Sequence, residues 1–139
     1  MPRARIMVIE DSSSDIFLLR RALISMQGKN FDLQVAEDGA RALELIHKQD
    51  GQKELHPCVI LLDLHIPKHD GFEILGALRK HPAMGQIQVV VTTNGASPQE
   101  KDELHKMGFD CRPKPRNLQE FDTLAADLMA ICDGTEMAN

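Results

Sequence analysis

With 139 residues the chain fits one domain, since domains commonly hold about 100–150 residues and a chain of this length buries a core without staples. Its 42% hydrophobic and 27% charged content is ordinary for a soluble globular protein, and no apolar run approaches the ~20 residues needed to cross a bilayer, so no membrane segment is expected. A net charge of −5, with no Lys/Arg cluster longer than two residues, lacks the electrostatic footprint of a nucleic-acid binder.

Five apolar, strand-like runs alternate with segments of helical spacing, a pattern that predicts an α/β domain with a parallel sheet. The first run is 5–10. Ile6-Met7-Val8-Ile9 is too short for a secretory signal before Glu10-Asp11, which makes the cytoplasm the expected location. A Ser-rich segment then precedes Ile16, Leu19, Leu23 and Met26, a helical stripe that Gly28 stops. The second run, 32–36, leads into a helix around 39–48 with Leu43 and Ile46 inward. A polar surface loop is expected over 47–57.

The third run, 58–62, ends at Asp63, and a helix from about 70 to 80 follows with Phe72, Leu75 and Leu78. The fourth run, 88–92, precedes Ser97-Pro98-Gln99-Glu100, a capping box with proline at the first helical position, in a helix ending near Met107-Gly108. That helix offers only Leu104 and Met107 as strongly apolar residues, so its charged face reads as solvated or as a partner surface. The fifth run, 110–112, precedes a helix over about 117–132 whose wide stripe, Leu118, Phe121, Leu124, Ala125, Leu128 and Ile131, leaves some surface free to pair. Residues 133–139 form a short polar tail. Cys58, Cys111 and Cys132 are scattered without a C-x-x-C pair and are expected to be reduced, partly buried thiols. The absence of Trp and Tyr points to modest, transient contacts.

Chemistry collects at the carboxyl ends of the runs. In a parallel sheet these ends point the same way, so Glu10, Asp11 and Asp63 converge if the first and third runs are neighbours. Three carboxylates repel unless a hard cation binds, and Mg²⁺ suits oxygen ligands of this kind. Acids capping the first helix are the bland alternative. Thr92 ends the fourth run, where a hydroxyl can donate to a phosphoryl oxygen, although threonine is also common in strands. Lys114, held between two prolines, can pair with phosphate oxygens or with Asp63, or can be a solvated turn lysine.

Acid pair, acid, hydroxyl and lysine thus end runs one, three, four and five in order. Together with Pro67, Gly71 and Pro115, this set closely resembles the receiver domain of bacterial two-component response regulators, over about residues 5–132. The resemblance implies a doubly wound (βα)5, flavodoxin-like three-layer sandwich with a five-stranded parallel sheet in order 2-1-3-4-5, and a single receiver domain over 1–139. It implies that Asp63 accepts a phosphoryl group, and that Asp11, Asp63 and the backbone carbonyl of His65 ligate Mg²⁺, with Mn²⁺ as a substitute and Glu10 on a metal-bound water. Thr92 would swing toward the phosphoryl group and Lys114 would pair with it. Lys114-Pro115 is expected to be cis, an isomer that proline makes affordable. Gly71 would permit the turn into the third helix.

The partner implied is a sensor histidine kinase. The segment from Leu62 to Gly71, the Thr92-Thr93 pair and the long loop before the third strand also resemble regulators paired with bacterial phytochromes. The expected function is a phosphorylation-dependent switch that signals through its fourth-helix, fifth-strand and fifth-helix face, by docking, by homodimerisation or as a phosphate sink. Aspartyl phosphate is reactive toward water, and His65 and Asn94 flank that route; His65 is otherwise a solvated loop histidine. Two departures stand out. Cys111 replaces the aromatic residue that most receivers carry three positions before the lysine, with Phe109 on the same face, and Thr93 stands where a smaller residue is common and narrows access to Asp63. Two other classes compete: a phosphate-independent interaction module, which has no reason to keep Asp11, Asp63, Thr92 and Lys114, and a haloacid-dehalogenase-like phosphatase, which needs an acid where His65 stands. The chain is not expected to be a turnover enzyme.

Overall fold

The computed structural model describes residues 4–26, 28, 30–48, 56–66 and 70–134. Residues 49–55 of the expected surface loop, Pro67, and 135–139 of the polar tail lie outside them.

The branched apolar runs form five strands: β1 (Ala4–Ile9), β2 (Phe31–Ala36), β3 (Val59–Asp63), β4 (Gln88–Thr93) and β5 (Cys111–Pro113). All pair in parallel, in the order β2-β1-β3-β4-β5. Every residue of β3 is buried, as its uninterrupted apolar run requires of a central strand covered on both faces. The helices are α1 (Ser13–Ile24), α2 (Gly39–His47), α3 (Gly71–Lys80), α4 (Pro98–Lys106) and α5 (Leu118–Cys132). Each starts on a polar cap: Ser12, Asp38, Asp70, Ser97 and Asn117 accept from the backbone N–H three residues on. Ser97 and Glu100 form the reciprocal capping box expected. Gly108, at φ +85°, follows the Met107 cap of α4.

The sheet separates two cores. On one face Met7, Ile9, Ile60 and Leu62 meet α2 and α3 through Leu45, Ile46, Ile74, Leu75 and Leu78. On the other Ile6, Val8, Val59 and Leu61 meet α1 and α5 through Leu19, Leu23, Phe121, Leu124 and Leu128. The structure sharpens the reading of two helical stripes. In α2 the buried positions are Gly39, Ala42, Leu45 and Ile46, so Ile46 is inward as expected, while Leu43 is half-buried at the edge of the same core. In α5 the wide stripe is spent on α1 and the sheet, and Leu118 is its exposed member.

The expectation of reduced, partly buried thiols holds for Cys111 and fails for Cys58 and Cys132. Cys58 and Cys132 form a disulfide, leaving Cys111 as the free thiol. Their Cα atoms lie 5.1 Å apart, within the range a bridge needs, because the start of β3 and the end of α5 meet at the end of the sheet remote from the acids. A separation of 74 residues hides this juxtaposition from any local reading of the chain.

Candidate functional site

Each predicted site residue stands at or just beyond the carboxyl end of a strand. Ile9 pairs with Leu62, so Glu10 and Asp11 leave β1 beside the last residue of β3, Asp63. Carboxylate oxygens of Glu10, Asp11 and Asp63 lie within 4.8 Å of one another. Asp11 is exposed, whereas Glu10 and Asp63 are buried. Thr92 is the register partner of Asp63 on β4 and is buried. Lys114 follows β5, and its amide donates to the Thr93 carbonyl at 3.1 Å, extending the β4–β5 pairing and turning the side chain over the sheet end.

The Lys114 ammonium is the hub. Its Nζ lies 2.8 Å from Glu10 Oε1, 3.1 Å from Asp63 Oδ2 and 3.1 Å from Asp15 Oδ2. Asp15 was not among the residues the sequence singled out. The signal available was its place one helical turn after Asp11 in the segment that opens α1. Burial alone would pull the Lys114 pKa down, but bonds to Glu10, Asp63 and Asp15 outweigh it and hold the ammonium above its usual range. Burial pushes the Glu10 carboxyl up to about 7, against the lowering pull of Lys114 and of the Ser12 N–H. The negative charge of Asp63 adds to the rise.

Asp63 is held from two sides. Its Oδ2 faces Lys114, and its Oδ1 accepts the His65 backbone N–H at 3.1 Å. The His65 side chain is also engaged rather than merely solvated: Nε2 lies 2.9 Å from Glu100 Oε2, and Nδ1 lies 3.3 Å from Thr93 Oγ1. The contacts of Glu100 and Thr93 with His65 were missed in the sequence, where Glu100 was read as the capping-box acid on a charged helix. The described residues contain no cis peptide bond, so Lys114-Pro115 is trans, contrary to expectation. The trans form keeps an intrinsic advantage of about 0.5–1 kcal/mol even before proline, and Lys114 reaches all three acids from it. Cys111 and Phe109 pack against the same core, as strand periodicity requires, and the Arg79 guanidinium sits 4.5 Å over the Phe109 ring.

The donor set fits a hard divalent cation. Three carboxylates converge where one ammonium leaves negative charge in excess, and oxygen ligands this close need little movement to meet a Mg²⁺ ion at about 2.0–2.1 Å. Bound there, such an ion would supply charge neutralisation for a phosphoryl group arriving at Asp63.

Comparisons with known proteins agree with this geometry. The model of the response regulator receiver domain matches residues 6–126. Response regulator Rcp1 of Synechocystis sp. is 30% identical over 122 residues, spanning 86% of this chain and 82% of that protein. The structure of the Mn²⁺-bound form of Rcp1 superposes with a TM-score of 0.78 at 26% identity, covering 98% of this chain and 99% of that one. The bacteriophytochrome response regulator AtBRR superposes with a TM-score of 0.69 at 28% identity, covering 99% and 96%. Sheet order, acid cluster and sequence match converge on one conclusion: the chain belongs to the response regulator receiver domain family.

Proposed function

We propose that this chain is a response regulator receiver domain switched by Mg²⁺-dependent phosphorylation of Asp63 by a sensor histidine kinase. The observation that carries the reading is the Lys114 ammonium 3.1 Å from Asp63 Oδ2 beside the carboxylates of Glu10 and Asp11. An Asp63 oxygen attacks phosphorus, the bond from phosphorus to the kinase histidine nitrogen breaks, and the electron pair leaves with that nitrogen. No proton need be removed from the nucleophile, because it is already an anion. Positioning and charge stabilisation then carry the catalysis. Glu10, Asp11, Asp63 and the His65 carbonyl hold the cation. Lys114 stays with Asp63 and meets the incoming phosphoryl oxygens, while the Thr92 hydroxyl turns to donate to them.

Phosphorylation adds roughly −1.5 to −2 charge and three acceptors. The face of α4, β5 and α5 reports it, through movement of Thr92 and the loop behind it, to a docking partner or a second copy of the chain. The likeness to AtBRR, a bacteriophytochrome response regulator, supports a phytochrome as the kinase.

The test incubates the chain with Mg²⁺ and acetyl phosphate or phosphoramidate, beside Asp63→Asn, and follows intact mass and size-exclusion elution. A labile one-phosphate adduct on the wild type and none on Asp63→Asn is expected, and a linked change in elution would make dimerisation the output. An adduct that persists in Asp63→Asn would overturn the assignment.

A further inference from the structure

We propose that Glu100 is a positioning residue for the chemistry at Asp63: with Thr93 it clamps the His65 imidazole, and the clamp sets the lifetime of the phosphorylated state. The inference rests on Asp63 being the phosphoacceptor. Its basis is a closed run of contacts through three segments. Glu100 Oε2 lies 2.9 Å from His65 Nε2, while the other carboxylate oxygen accepts the Ser97 N–H at 2.9 Å. Thr93 Oγ1 lies 3.3 Å from His65 Nδ1 and accepts the Gly95 N–H at 3.1 Å. One arrangement of protons satisfies every group: the Thr93 hydroxyl donates to Nδ1, and Nε2–H donates to the Glu100 carboxylate. The turn after β3, the end of β4 and the first turn of α4 are thereby tied together at one ring.

That ring belongs to the residue whose amide donates to Asp63 Oδ1. Its side chain is 48% exposed, so without its two partners it would be free to reorient toward the acids. Hydrolysis of an aspartyl phosphate needs a water in line with the bond to be broken. Its oxygen bonds to phosphorus, the bond from phosphorus to the carboxylate oxygen breaks, Asp63 returns as carboxylate, and hydrogen phosphate and a proton leave. A free imidazole nitrogen near that line can hold the water. In the clamped ring both nitrogens are engaged, so neither is available, and the acyl phosphate is protected. Glu100 is also part of the α4 cap, so a shift of the loop between β4 and α4 loosens the clamp and ties phosphoryl lifetime to the position of the reporting helix.

Wild type, Glu100→Ala, Glu100→Gln and Ser97→Ala are phosphorylated with phosphoramidate and Mg²⁺, separated from the donor, and timed by intact mass. Glu100→Ala is expected to shorten the lifetime roughly five-fold, the equivalent of one net hydrogen bond. Glu100→Gln keeps one acceptor oxygen where the carboxylate used two, for His65 and for the Ser97 N–H, and is expected to restore the lifetime in part. Ser97→Ala weakens the α4 cap that carries Glu100 while leaving the Glu100 carboxylate able to reach His65, and is expected to shorten the lifetime less than Glu100→Ala does. Equal lifetimes in wild type and Glu100→Ala would overturn the clamp alone, as would Glu100→Gln or Ser97→Ala decaying as fast as Glu100→Ala. Failure of the wild type to form any adduct would overturn the phosphoacceptor reading, and the clamp with it.

Discussion

Lys114 faces Glu10, Asp15 and Asp63 directly while Asp11 completes the acid cluster, so one ammonium stands against four carboxylates. Glu10 accommodates this by favouring its protonated form, with a pKa pushed up to about 7 chiefly by burial. Because the folded value lies above the ordinary carboxylate value of 4.5, the stability Glu10 contributes to the metal-free protein is full below that ordinary value. It is lost as the pH rises through about 7. Cation binding runs the other way, since Mg²⁺ needs the carboxylate. Apparent Mg²⁺ affinity should therefore climb between about pH 5.5 and 8, with proton release on binding, and Glu10→Gln should flatten the climb. Titration calorimetry in buffers of different ionisation enthalpy measures both, and a pH-independent affinity in the wild type would contradict the role given to Glu10. Glu10, Asp11, Asp63, Thr92 and Lys114 were legible because each follows an apolar run and the parallel sheet gathers such ends. Asp15 and Glu100 were not, because they lie on helices whose polar residues look alike until the tertiary fold decides which of them faces Lys114 or His65.

Among the elements, α3 shows where a sequence reading found the right residue for an incomplete reason. Gly71 was expected to permit a turn, yet it lies inside the first turn of α3 without a positive φ. Its distinction is proximity: a Cβ added there would sit 2.6 Å from the Leu64 carbonyl oxygen, which accepts the Gly71 N–H at 3.0 Å. Gly71→Ala must push the start of α3 away from the segment that follows Asp63. An overpacking cost of about 1–3 kcal/mol is expected, read as a lower thermal midpoint by circular dichroism. A midpoint equal to wild type would show that the backbone yields freely there. The Ser97–Glu100 capping box was legible from its residue types, and the four helices for which a start was expected, α2 to α5, begin within one residue of it. In α2 Ile46 was read correctly as inward, and Leu43 proves to lie at the edge of the buried face because Ala42 and Leu45, one turn from Ile46 and beside it, take its centre.

At the scale of the molecule, the disulfide is the feature that local reading could not reach. Cys58 and Cys132 meet only once β3 is in the centre of the sheet and α5 has crossed its face. Closing a loop over a 74-residue separation restricts the unfolded chain by about 4–5 kcal/mol in the chain-entropy account. Reduction should accordingly lower the thermal midpoint by roughly fifteen degrees. Thiol titration of the denatured, unreduced chain should find Cys111 alone reactive, and three reactive thiols would refute the bridge. The sheet order, by contrast, was legible through family resemblance, because the ordered set of strand-end residues is specific to one topology.

The two faces of the sheet are therefore unequal in stiffness. On one, α5 is fastened covalently at its far end by Cys132, while Lys114, just ahead of it, is held to Asp15 of α1. On the other, α4 buries only Leu104 and relies on its cap, its link to His65 and the bond that Arg79 donates to the Met107 carbonyl. A disturbance at the acid end finds its compliant path through α4, whose amides should exchange with deuterium well ahead of those of α5, and the direction in which the molecule yields is built into where its few fasteners lie.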